Sequence, residues 1–231
     1  MTANPSTGRQ LALDLGSRPA LGREDFIVAP SNREAVALLD RWPDWPGRIL
    51  ALSGPRGSGK SHLAHVWQAR TNALFVAPEA LGRADLAALA RPGATLVVDD
   101  ADTVTEAEAL FHLVNRIREA GGFLLLTGAA DPARWELGLA DLASRLKALP
   151  VARLGPPDDD LLAALFVKLF ADRQLRVGGD VVAYLASRVE RSAAAVLTMV
   201  ERLDGLALVE GRGVTLGIAR RALGEGDGPL S

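Results

Sequence analysis

Eight consecutive residues, Gly54-Pro55-Arg56-Gly57-Ser58-Gly59-Lys60-Ser61, match the spacing G-x-x-x-x-G-K-[ST] and constrain this chain more than any other feature in it. They stand between an apolar run at 49–53 and a segment of helical periodicity at 61–70. The spacing requires a strand that ends sharply and a helix that begins at once. Glycines let the backbone close around a phosphate with its N–H groups turned inward, and the helix N-terminus adds its positive dipole end. Lys60 reaches the β- and γ-phosphates as a compact charge, and the Ser61 hydroxyl ligates Mg²⁺. A fold that cannot supply strand, loop and helix in that order is excluded.

Short apolar runs alternate with amphipathic segments around this loop. Strands are predicted at 49–53, 73–77, 95–99, 123–127 and 151–154, and helices at 61–70, near 83–89 and at 106–120. In the last helix Ala109, Leu110, Leu113, Val114 and Ile117 share one face. Ser31 is placed to cap an earlier helix bearing Ala35, Leu38 and Leu39, which ends at Trp42-Pro43-Asp44-Trp45-Pro46-Gly47. Apolar strands alternating with helices read as an α/β fold, a parallel sheet covered on both faces. After Gly155-Pro156-Pro157 the spacing is helical throughout, at 161–174, 180–190, 194–208 and 215–223. Asp158-Asp159-Asp160 reads as the start of the first of these helices, where negative charge is favoured, and not as a metal site. The expected organisation is a polar tail (1–22), an α/β core with five parallel strands (23–155) and a small all-helical lid (156–231).

Composition narrows the function classes. With 48% hydrophobic and 23% charged residues the chain is not disordered. No apolar run approaches the ~20 residues of a bilayer span, and the polar start leads into no apolar signal segment, so a cytoplasmic protein without membrane contact is expected. Cysteine is absent, which excludes disulfides and thiolate metal sites. Lys+Arg 26 against Asp+Glu 28 gives a net charge of -2, which disfavours independent tight binding of nucleic acid. Only Lys60, Lys147 and Lys168 are lysines, so a lysine within the glycine loop stands out.

A second motif follows. Leu96-Val97-Val98 is an apolar strand ending in Asp99-Asp100. Beside a phosphate loop, Asp99 is expected to hold Mg²⁺ through its water shell and Asp100 to orient or polarise an attacking water. His62 and His65 stand one turn apart, but zinc needs a third ligand, and His112 is the one remaining histidine. Trp42 and Trp45 have only Arg41 and Arg48 near them and read as packing residues.

Taken together, these motifs resemble those of the AAA+ ATPases, P-loop proteins with a helical lid, and among them the bacterial DnaA/Hda family. Phe26-Ile27-Val28-Ala29-Pro30-Ser31-Asn32 is similar to that family's nucleotide-pocket segment F-x-V-G-x-S-N. The glycine loop and Asp99-Asp100 resemble its Walker A and Walker B motifs. Phe111-His112-Leu113-Val114-Asn115 and Leu125-Leu126-Thr127-Gly128 resemble the stretch that follows and the fourth strand. Asp141-Leu142-Ala143-Ser144-Arg145-Leu146 is similar to D-L-x-S-R-[LF], which holds the arginine finger. The resemblance, over residues 23–224, implies an ADP or ATP site built from Phe26, Val28, Asn32, Pro55, Arg56, Gly57, Ser58, Gly59, Lys60, Ser61 and His62. It implies Mg²⁺ at Ser61 and Asp99, with Asp100 and Arg145 as the catalytic pair.

Gln10-Leu11-Ala12-Leu13-Asp14-Leu15 resembles the Q-L-x-L-x-L peptide of proteins that dock on the replicative sliding clamp. That resemblance implies clamp contacts by Gln10, Leu11, Leu13, Asp14 and Leu15, the clamp being the β subunit of DNA polymerase III. In an extended peptide the three leucines project to one side, which also fits a tail strand paired with its own domain. The sequence stops at Ser231, without the helix-turn-helix domain of DnaA, and this leans towards the Hda branch. The implied function is negative regulation of the initiation of DNA replication. Docked on the DNA-loaded clamp and meeting DNA only through it, the protein would offer Arg145 to ATP bound on DnaA, with self-association left open. Two departures from the family pattern imply weak intrinsic ATPase activity. Ala129 stands where a polar sensor is usual, and Ala194 where a lid arginine reaches the γ-phosphate. Arg191 would replace the latter if its helix began one turn earlier. An autonomous AAA+ ATPase or loader is the alternative.

Overall fold

Five short strands form a single parallel sheet in the order β2-β3-β4-β1-β5. They are β1 (Ile49–Ser53), β2 (Leu74–Val76), β3 (Thr95–Val98), β4 (Phe123–Gly128) and β5 (Val151–Arg153). The computed structural model describes residues 26–224, so the tail and its 10–15 peptide lie outside the described residues. Helix α1 (Arg33–Asp40) precedes β1, and α2 (Lys60–Thr71), α3 (Leu86–Leu89), α4 (Ala107–Glu119) and α5 (Ala140–Lys147) run between successive strands.

Every residue of β1 and β4 is buried, as a sheet covered on both faces requires. Alternation along the strands divides the apolar side chains between two cores. Leu50, Leu52, Val97 and Leu125 pack against Val36 and Leu39 of α1 and Leu63 and Trp67 of α2. Ile49, Val98, Leu124 and Leu126 pack against Leu110, Leu113 and Ile117 of α4 and Leu142 and Leu146 of α5. Trp45 stacks on Trp67 at 5.1 Å, and Trp42 and Phe123 meet this pair edge-on. The tryptophans at 42 and 45 are thus packing residues.

Four helices follow: α6 (Asp159–Asp172), α7 (Gly179–Ala186), α8 (Ala193–Glu210) and α9 (Leu216–Ala222). They enclose a third core around Leu162, Phe166, Leu185, Val200, Leu203 and Ile218. Tyr184 of α7 lies under the Arg188 guanidinium at 4.0 Å. Asp158 caps α6 by accepting the Leu161 N–H at 2.8 Å. Among the described residues no helix is long and apolar enough to cross a membrane.

Three local expectations change. Ser31 does not cap α1; Asn32 occupies the N-cap position and makes no side-chain cap there. The helix expected near 83–89 contracts to α3, capped by Asp85, after a 3₁₀ segment at Pro78–Arg83. Residues 140–147, read only through a motif, form a helix.

Candidate functional site

The sheet order sets the ends of β3, β4 and β1 side by side, so the segments that leave them meet at one edge. The loop after β1 enters α2 through Gly59, whose φ of +95° is left-handed and which supplies no side-chain cap. The first N–H groups of α2 therefore lack a side-chain acceptor, the condition that makes a helix start an anion receptor. Lys60 is 7% exposed, and its ammonium donates to the Gly54 and Pro55 carbonyls at 2.8 and 3.1 Å. The Ser58 hydroxyl is buried with no hydrogen-bond partner among the described residues. A buried cation, an orphaned hydroxyl and uncapped amides around one loop fit a phosphate chain.

Beside the loop, Thr127 joins the two strand-end carboxylates. Its hydroxyl donates to Asp99 Oδ1 at 2.6 Å and accepts the Asp100 N–H at 2.8 Å. Asp100 has a left-handed φ of +52°. Partial burial, then the neighbouring Asp99 charge, raises its pKa above the ordinary carboxylate range, with Lys60 and Arg56 pulling the other way. Asp102 accepts the Ala129 N–H at 2.7 Å, which fixes the position where a polar sensor was expected. Two residues on, Asp131 takes the Ser53 hydroxyl at 2.6 Å and a bidentate contact from Arg153. Among the described residues no trio of histidine or acidic side chains forms a metal cage. Mg²⁺ needs none, since it is held by one or two protein oxygens, phosphates and water, which Ser61 and Asp99 fit.

A narrow pocket opens between the loop and the lid. Phe26, Asn32, Gly57, Ser58, Gly59 and His62 line one side, and Pro157, Leu161, Leu165 and Ala193 the other. Phe26 meets the His62 ring edge-on at 5.3 Å. The Asn32 amide is used within its own segment: Oδ1 accepts the Ala29 N–H and Nδ2 donates to the Ile27 carbonyl, both at 2.9 Å. Asn32 thus shapes the pocket wall. Val28 is exposed and does not line the pocket.

At the phosphate end α8 meets the loop directly. Gly57 has φ +78°, and a Cβ on it would overlap Ser192 Cβ, so only glycine fits here. The Ala193 N–H donates to the Gly57 carbonyl at 3.4 Å. The helix begins at Ala193 with Ser192 as its cap, so the earlier start that Arg191 would need is not present. Arg191 instead pairs with Asp159 at 2.8 Å and donates to the Pro157 carbonyl at 3.2 Å. Arg56 and Arg202 line a cleft beside Ala194. Away from the loop, Arg145 is exposed on the last turn of α5, with no carboxylate paired to it among the described residues.

The match to known proteins follows this geometry. Domain III of the Thermotoga maritima replication initiation protein DnaA superposes with TM-score 0.75 at 19% identity, covering 92% of this chain and 99% of that one. This chain has the AAA+ fold of DnaA domain III. AMPPCP-bound DnaA from Aquifex aeolicus gives the AAA+ fold again, at TM-score 0.67 and 17% identity, over 84% of this chain and 67% of that one. In sequence the chain is homologous to the chromosomal replication initiator protein DnaA of Thermomicrobium roseum, 28% identical over 252 residues. That alignment covers 96% of this chain and 54% of the relative, so the chain spans about half the length of the curated relative it matches. No protein-family model matches the chain.

Within this AAA+ fold, the structure brings together the loop, Phe26, Asn32 and His62, and sets Asp99 and Asp100 at the neighbouring strand end. Val28 and Arg191 stand apart. Sequence reading missed Thr127 and the lid residues Pro157, Leu161 and Leu165. Thr127 had a signal, as the only polar residue in the strand Phe123–Thr127. The lid residues had none, because their apolar spacing is that of any packed helix.

Proposed function

We propose that the chain is an Hda-like regulator of replication initiation that holds ADP or ATP and accelerates hydrolysis of ATP bound to DnaA. The nucleotide lies in the pocket between loop and lid, with its phosphates on Lys60 and the start of α2 and Mg²⁺ at Ser61 and Asp99. Residues 10–15 dock on the sliding clamp, and Arg145 enters the neighbouring ATP site, where such fingers accelerate hydrolysis by ~10³–10⁵. We read the chain as tail, AAA+ core and lid, divided near residues 22 and 155.

The observation that carries this reading is Arg145, a cation on the AAA+ surface without an acidic partner among the described residues and held by an aromatic ring. Its test is hydrolysis of DnaA-bound ATP in the presence of clamp loaded on DNA. Wild-type protein should stimulate it, and Arg145→Ala should not, while still binding clamp and nucleotide. Combined Gln10→Ala and Leu11→Ala substitutions should abolish clamp capture. Equal stimulation by Arg145→Ala would remove the finger assignment.

The Asp99–Thr127–Asp100 arrangement supports a second reading, an autonomous ATPase. Steady-state turnover by the isolated protein separates the two, since rapid hydrolysis without DnaA would favour the second.

A further inference from the structure

Two walls of the pocket belong to different parts of the chain, and one side chain joins them. Segment 26–32 forms the core wall and α6 the lid wall, with Ile27 and Asn32 facing Leu161 and Leu165. Asp158 lies between the walls and uses both carboxylate oxygens. Oδ1 accepts the Leu161 N–H at 2.8 Å, and Oδ2 accepts the Ser31 N–H at 3.2 Å. The Ser31 carbonyl in turn accepts the Gly155 N–H at 3.0 Å, so both backbone groups of Ser31 are held by the segment 155–158 that leads into α6. Asn32 stiffens the segment through its bonds to Ala29 and Ile27. The core wall cannot move as a unit without pulling on Asp158.

A carboxylate that only capped α6 would need one oxygen. We propose that Asp158 is a positioning residue that sets the separation of the two pocket walls and thereby slows nucleotide release. This rests on the nucleotide reading of the pocket. The second oxygen ties the wall to the lid by a charge-assisted bond, which is stronger than a neutral one. Without it, lid and segment part more often and the bound nucleotide leaves faster.

Two substitutions separate capping from joining. Asp158→Asn keeps an oxygen for Leu161 but turns an NH₂ group towards the Ser31 N–H. Asp158→Ser keeps a good cap and is too short to serve both donors. Release of a fluorescent ADP analogue is measured by displacement with excess ADP, alongside the thermal midpoint. Both variants should melt close to wild type and release the analogue roughly five- to tenfold faster. Release at the wild-type rate in both would overturn the proposal and leave Asp158 as a cap. If the wild-type protein fails to bind the analogue at all, the nucleotide reading itself falls, and the proposal with it.

Discussion

The Arg145 guanidinium lies over the Phe111 ring, 5.2 Å from its centroid, so a side chain of α4 holds one from the last turn of α5. An exposed arginine otherwise samples many rotamers, and the ring face lowers that freedom. Phe111→Leu keeps apolar bulk and loses the ring. It should reduce stimulation of DnaA-bound ATP hydrolysis about three- to tenfold, less than Arg145→Ala, with nucleotide affinity unchanged. Equal loss in the two variants would assign Phe111 a larger part than orientation.

Lys60 is buried with backbone carbonyls as its partners, an arrangement that favours the arrival of anionic oxygens. Lys60→Ala should weaken ADP binding by about 100-fold, the scale of one or two charge-assisted hydrogen bonds. Calorimetric titration with ADP would show it.

Partial burial and the Asp99 charge disfavour the ionised form of Asp100. Its folded pKa is raised, so stability is greater below the ordinary carboxylate range and falls as pH rises through the folded value. Asp100→Asn removes this penalty, and asparagine tolerates the left-handed backbone. Because the side chain is only partly buried and largely solvated, the gain is small, about 1–2 °C in thermal midpoint at neutral pH. Any intrinsic ATP turnover should drop in the same variant. A lower midpoint would contradict the sign.

Asp131 works in the opposite direction. Hydrogen bonds from Arg153 and then Ser53 hold its pKa below the ordinary range. Its contribution is therefore present above that range and lost as pH falls through it towards the folded value. Arg153 is 66% exposed, so solvent screens the pair, and Asp131→Asn should cost roughly 0.5–1 kcal/mol at neutral pH. The difference should be smaller at about pH 3, below the point where the unfolded carboxylate begins to protonate, and vanish only below the lowered folded value. Urea unfolding at both pH values checks it.

The strands were legible because wholly apolar runs such as Leu50–Leu52 and Leu124–Leu126 have no reading other than buried strand or short buried helix, and the alternation of elements decides between these. The phosphate loop was legible because its chemistry demands particular residue types at fixed spacing. Asn32 shows where such reading stops. Its identity matched a nucleotide-pocket motif, yet its amide bonds to Ile27 and Ala29, a choice made by backbone geometry that no spacing records. Arg191 shows the same limit. Its bonds to Asp159 and Pro157 depend on α8 beginning at Ala193, and helix starts shift by a residue or two with local capping. Ser192 in the cap position settled it.

The aromatic cluster under the sheet has a practical consequence. All four tryptophans, Trp42, Trp45, Trp67 and Trp135, fall among the sheet and its flanking segments, and the single tyrosine, Tyr184, falls in α7. Indole emission, excited at wavelengths where phenol does not absorb, therefore follows the sheet-bearing part alone. Melting of that part can therefore be followed without a label and compared with the loss of helical signal from the whole chain.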